Sequence, residues 1–235
     1  HTIVPLAPAL SAFVTAEEWV RFLQGLSLRN IEASLLFEEF GSDRPKKLKS
    51  EFGEMIFTHF GVSGPVILTL SRGVNNLLKR GKVSVSIDLK PAISSEQLDL
   101  RLKRDFKVNK YYKNYLPELL PRLLIETFVH LSGIDPEKPV NSITTPERMR
   151  IIELMKDFRV TVKRMAPIDE AIVTGGGVDI GEIDSRTMMS KLVEGLFFAG
   201  EVIDIDAETG GFNLQAAFST GWVAGEGAAD YVRRL

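Results

Sequence analysis

Apolar residues recur along this chain with two different spacings, and the switch between them marks its elements. From Lys82 to Leu89 they alternate strictly, at Val83, Val85, Ile87 and Leu89, which predicts a half-buried strand. Residues 27–40 alternate in part, through Leu28, Ile31, Ala33, Leu35 and Phe37. They predict a strand, a turn at Gly41-Ser42-Asp43, and a second strand near Glu54–Thr58 that completes a hairpin. Arg159–Val162 returns to strand, and residues 1–14, with Pro5 and Pro8, suit an edge strand or extended entry. Helical spacing appears elsewhere. Thr15-Ala16-Glu17-Glu18 resembles a capping box before Trp19, with a short helix ending at Gly25. Gly61-Val62-Ser63-Gly64-Pro65 turns into a helix, with Ser63 as the expected cap and Pro65 in the first turn. A helical bundle is expected over about 94–157. One helix starts at Ser94-Ser95-Glu96-Gln97, one runs on from Leu119 to Gly133, and one spans Thr145 to Asp157.

The last quarter reads differently. A short apolar strand, Ala171–Thr174, ends in Gly175-Gly176-Gly177. Leu196–Ala199 reads as a buried strand ending in Gly200-Glu201. Thr209-Gly210-Gly211-Phe212-Asn213 opens a long helix rich in small residues. Glycine-rich bends bring bare backbone close to a ligand, and a helix N-terminus offers free N–H groups. Each bend is also a tight turn of ordinary packing, and no G-x-G-x-x-G occurs. The change of pattern puts a boundary near Met165–Asp169, with a strand–turn–strand–turn–helix order typical of α/β nucleotide folds after it. Glu201 could accept from a ribose or ribityl hydroxyl, and Asp204 with Asp206 suits a solvent-facing or cofactor-facing loop better than a metal site. His59, beside Phe57 and Phe60, is either a satisfied core residue or a weak catalytic candidate.

Composition narrows the classes. The 235 residues are 44% hydrophobic and 26% charged, with a net charge of −2, which argues against a nucleic-acid or anionic-membrane partner. The basic run Arg44–Lys49 reads as a solvated loop or strand edge. No cysteine is present, which excludes disulfides and thiolate chemistry and fits a cytoplasmic protein. Apolar stretches are too short to span a bilayer. The opening, His1-Thr2-Ile3-Val4, lacks an initiator Met and reads as the middle of something longer.

Two long motifs carry a family resemblance. Thr187-Met188-Met189-Ser190-Lys191, continued by Gly195–Val202 and Thr209–Gln215, and the tract Gly53–Pro65 are similar to signatures of the HI0933-like (BaiN/RdsA, YhiN-like) FAD-dependent oxidoreductases. Leu26–Asn30 fits as well. The resemblance implies α/β architecture with an α+β insertion: the C-terminal half of a Rossmann-like FAD domain at 166–235, and an inserted β-barrel-like sheet with helical bundle at 1–165. It places Gly200 and Glu201 by the ribityl and pyrophosphate region and Gly210, Gly211, Phe212 and Asn213 by the isoalloxazine. With Gly176, Gly177 and Asp204 these form the expected cofactor set, with no metal. Met189 stands where the family commonly has Glu, and the family's N-terminal phosphate loop is missing from these residues.

The expected activity is hydride transfer through FAD to or from a small organic substrate, with NAD(P)H or O₂ as partner. The alternative is a cofactor-free cap or interaction domain. For the isolated residues FAD binding is expected to be weak or absent, with exposed apolar surface and self-association.

Overall fold

The structure is a computed structural model describing residues 1–42 and 44–235. Asp43, in the expected hairpin turn, lies outside the described residues. Its strands are β1 (Ile3–Ala9), β2 (Phe13–Thr15), β3 (Ser27–Glu39), β4 (Lys46–Phe57), β5 (Gly61–Ser63), β6 (Gly81–Asp88), β7 (Phe158–Met165) and β8 (Val173–Val178). Six of them close a barrel in the order β2-β5-β4-β3-β6-β7, all pairs antiparallel. Closure removes most of the free edges that an open sheet would expose.

The partial alternation of β3 has a local cause. Leu28 and Ile31 both face the core although three positions apart, because the ladder with β4 slips between them and Asn30 takes φ 54°. A bulge absorbs the extra residue and restores the inward face for Ala33, Leu35 and Phe37. The hairpin partner begins earlier than expected: Lys46–Lys49 form the first part of β4, exposed through Leu48, where lysines guard a strand edge.

Two expected caps are not made. The helix α1 (Pro65–Leu70) has Gly64, at φ 96°, as its N-cap rather than Ser63. A Cβ at Gly64 would lie 2.9 Å from the Met55 Cα, so close approach to β4 decides the residue. Glu18–Leu23 forms a 3₁₀ turn without a capping box. The Glu17 carboxylate instead accepts from the Thr161 N–H at 2.9 Å, which ties this turn to β7.

After α2 (Val74–Leu78) and β6 come α3 (Ser95–Asp105), α4 (Tyr112–Tyr115), α5 (Ile125–Ser132) and α6 (Thr145–Lys156). The helix expected from Leu119 starts only at Ile125, because Pro117 and Pro121 confine the preceding residues to 3₁₀ turns. Tyr112, Tyr115, Phe128, Ile151 and Met155 belong to the same buried cluster as the barrel side chains Phe57, Val85 and Phe158. Barrel and bundle therefore share one core.

The remainder is lighter. β1 pairs with β8, from Ile3 opposite Val178 to Ala9 opposite Val173. The first nine residues thus pack with the C-terminal part, although the boundary expected near 165 groups them with the barrel. The buried strand expected at Leu196–Ala199 does not form. It makes one isolated bridge, Met189 to Phe197, and stays half-exposed, since the described residues offer it no ladder partner. The helix α7 (Phe212–Arg233) closes the chain. Only Ala224 on it is buried, while Leu214, Phe218 and Trp222 stand exposed on one side. No helix of the described residues is long and apolar enough to cross a membrane.

The N-terminus of α6 carries a pH-dependent contact. Thr144 and Glu147 form a reciprocal capping box, and Lys138 Nζ reaches the Glu147 carboxylate at 2.7 Å. Lys138 first, then the Thr144 N–H, hold the Glu147 carboxyl down at about 2. A depressed carboxylate contributes stability that is present above its unfolded value and lost as pH falls through the folded one. Chemical unfolding followed from pH 5 to pH 2 should show a flatter acid loss in Glu147→Gln than in the parent. Equal slopes would remove Glu147 from the acid response.

Candidate functional site

The site is assembled from backbone outward. β8 carries its three glycines inside the strand, not in a turn beyond it. Gly176 and Gly177 have φ 89° and 134°. A Cβ on Gly176 would sit 2.5 Å from the Pro5 carbonyl oxygen, and one on Gly177 would sit 2.5 Å from that of Val202. At both glycines the space a side chain would fill is thus taken by protein backbone. Their bareness lets β1 and the 202–204 segment close on β8 from two sides. Val178 bridges Ile203 in parallel and accepts from the Asp204 N–H at 2.9 Å. Asp204 Oδ1 in turn accepts from the Gly176 N–H at 3.1 Å. Asp204 is therefore a wall fastener, turned to β8 rather than to the cavity.

That wall borders a cavity of about 370 Å³, within the range of roughly 300–1,000 Å³ usual for small-molecule sites. Five expected residues meet there: Gly200, Glu201, Gly210, Gly211 and Asn213. Gly176, Gly177, Asp204 and Phe212 do not line it; the Phe212 ring covers Gly210 instead. Reading the glycine bends alone misses the apolar lining of Leu10, Ile172, Ile203, Ile205 and Leu214, and also Thr220. The apolar residues flank the glycine motifs, so their proximity was a usable signal. Thr220, two turns into the helix, carried none.

Local bonds fix each polar element. Gly211, left-handed at φ 87°, is the N-cap of α7 and supplies no side-chain acceptor. The first helical bond runs from the Gln215 N–H to the Gly211 carbonyl. The N–H groups of Phe212, Asn213 and Leu214 therefore have no acceptor among the described residues. The Asn213 side chain accepts from the Ala207 N–H at 2.8 Å and donates to its carbonyl at 2.9 Å, folding the preceding loop back onto the helix. Thr220 Oγ1 accepts from the Gly200 N–H at 3.0 Å while donating to Ala216 at 2.7 Å. Glu201 Oε1 accepts from the Thr174 N–H at 2.7 Å, and its other oxygen has no partner among the described residues.

The remaining candidates separate. Asp206 pairs with Arg72 at 2.6 Å, so Asp204 and Asp206 serve different partners. Among the described residues no group of three His, Asp or Glu side chains could hold a metal. Lys49 bonds Glu208 and holds that carboxyl below its ordinary range. His59 is neither buried nor at the cavity. It stands exposed in the turn before β5, edge-on to Phe60.

The profile of the HI0933-like protein barrel and H2TH domain matches residues 7–173. The chain belongs to the HI0933-like family. It is 28% identical over 233 residues to the 3-dehydro-bile acid delta(4,6)-reductase of Clostridium scindens, covering 98% of this chain and 55% of that protein. It is 35% identical over 172 residues to the ribosomal RNA dihydrouridine synthase of Escherichia coli, covering 73% and 41%. The synthase of the same name from Haemophilus influenzae is 32% identical over 174 residues, covering 74% and 42%. The chain spans about half the length of these curated relatives.

The division of labour among the glycines is measurable. Gly176→Ala and Gly177→Ala should each cost about 2–4 kcal/mol, since backbone must separate. Gly211→Ala meets open space and should cost only about 1–2 kcal/mol for its left-handed conformation. Denaturant unfolding of the three variants checks the order; equal losses would refute it.

Proposed function

We propose that this chain supplies the barrel, bundle and returning cofactor-side segment of an FAD-dependent oxidoreductase. Its reaction in this reading is hydride addition to a carbon–carbon double bond conjugated with a carbonyl. The observation that carries the reading is the uncapped N-terminus of a 22-residue helix opening on an apolar cavity that also holds Glu201. Three N–H groups without acceptors suit the carbonyl and nitrogen acceptors along the pyrimidine edge of an isoalloxazine. The free oxygen of Glu201 suits a ribityl or ribose hydroxyl, which must donate. Leu10, Ile172 and Ile203 in the cavity lining would help keep water from the ring.

When bound, FAD supplies the hydride chemistry itself. The side chains of this chain bind and orient, and none is required to bond covalently to substrate. A Rossmann-like arrangement of the residues after 165 is part of the same reading, supported by the parallel bridge between Val178 and Ile203 and the glycine entry to α7. The substrate class rests on relatives. One is named for reducing a dehydro-bile acid and two for making dihydrouridine, and both names describe saturation of a double bond in a carbonyl-conjugated system. The net charge of −2, with Lys47 and Lys49 tied to acids on the barrel surface, favours a small organic substrate over RNA. NAD(P)H is the proposed hydride donor and the cytoplasm the proposed compartment.

The native gene product should carry stoichiometric FAD, bleach with NAD(P)H under anaerobic conditions, and reoxidise on adding a conjugated enone. Glu201→Ala should raise the FAD dissociation constant roughly tenfold. A protein without flavin at saturating FAD would overturn the cofactor assignment. Reoxidation by uridine-containing RNA but by no small enone would keep the reaction class and overturn the small-molecule substrate; reoxidation by neither would overturn the reaction class.

A further inference from the structure

One rim of the cavity, residues 205–211, lies beyond the last bond to β8, which Asp204 makes to Val178. Its own backbone bonds are few: Ile205 N–H to Ile203, and the Asn213 clasp on Ala207. The other fastenings come from the barrel side. Arg72 donates from Nε to Asp206 Oδ2 at 2.6 Å and from Nη2 to the Asp206 carbonyl at 2.7 Å. Thr69 and Thr209 share a hydroxyl bond at 3.0 Å. Lys49 Nζ reaches Glu208 at 2.5 Å and Glu51 at 3.0 Å. Three of the four residues before Gly210 are thus held by side chains of the barrel region.

The end of α1 that presents Arg72 is itself fixed. Leu68 packs on Ala9, Leu10 and Val173. The Ser71 hydroxyl accepts from the buried Ser11 N–H at 3.0 Å. The three fastenings are unequal. The Lys49–Glu208 pair is a point charge in a half-exposed setting, where screening leaves little. The threonine pair is neutral. Arg72 grips side chain and main chain of one residue in a planar fork, a geometry lysine cannot copy, and the Asp206 side chain is only 21% exposed.

We propose that Arg72 is a positioning residue for the cavity. By holding Asp206 at two points it fixes the Gly210-Gly211 turn and the first N–H groups of α7 in their ligand-receiving geometry. The barrel region thereby sets ligand affinity without touching the ligand. That the ligand is FAD rests on the function proposed above; the ordering of the turn does not.

The test is amide hydrogen exchange, paired with FAD titration, on the native gene product. In Arg72→Ala, exchange at Ala207 and Gln215 should quicken roughly tenfold and the FAD dissociation constant should rise about three- to tenfold. Arg72→Lys should recover only part of the protection, and Lys49→Ala should change it less than Arg72→Ala does. Asp206→Ala should match Arg72→Ala, and the double variant should go no further. Exchange at Ala207 within twofold of the parent in Arg72→Ala would overturn the proposal, whatever happens to FAD. Faster exchange in a protein that never binds FAD would leave Arg72 in its role and sink the cofactor reading instead.

Discussion

Backbone resting on backbone at Gly176 and Gly177 is the contact on which the cavity depends. Carbonyls of Pro5 and Val202 occupy the space where side chains would stand. Without that double approach β1 could not pair along β8, and the 202–204 segment could not lie beside it on the other edge. Asp204 would lose the Gly176 N–H, and Gly200 and Glu201 would lose the wall that aims them. Close packing of this kind is intolerant of a single added methyl, so these glycines shape the site while staying out of it.

Stability is distributed unevenly around that contact. The barrel and the helical bundle share one continuous core, including Phe13, Phe57, Tyr112, Phe128 and Phe158. The C-terminal part relies on two small clusters, one centred on Val178 and Ile203 and the other on Leu10 and Val173. Segments with few buried contacts open more readily than a core. A rigid barrel carrying a lightly held binding edge therefore has to fasten that edge from outside, and the end of α1 is where it does so. The exposed line of Leu214, Phe218 and Trp222 on α7 belongs to the same lightly covered region.

Much of the fold was legible because its elements obey simple periods. β6 follows directly from alternation and α6 from the helical spacing over Thr145 to Asp157, and the barrel-and-bundle region was visible through motif resemblance. Several failures come from long-range partners that overrode local signals, or from their absence. Glu17 looks like part of a cap but is claimed by Thr161, 144 positions away. The glycines of β8 read as a turn because nothing nearby reveals that β1 will lie against them. Leu196–Ala199 has strand composition but no ladder to join. At the site, the glycine entry to α7 could be read because the conformation of Gly211 is local, whereas the role of Arg72 could not, because its partner lies 134 residues on.

The central claim is that the uncapped start of α7 is the ligand-facing surface. Titrating the native gene product, freed of FAD, with lumiflavin, the bare ring system, while recording amide resonances tests it most directly. The account predicts that the shifts concentrate at Phe212, Asn213 and Leu214, extend to Gly200 and Gly211, and leave His59 unmoved. Shifts confined to the turn around His59, or none at 212–214 at saturating ring, would contradict it.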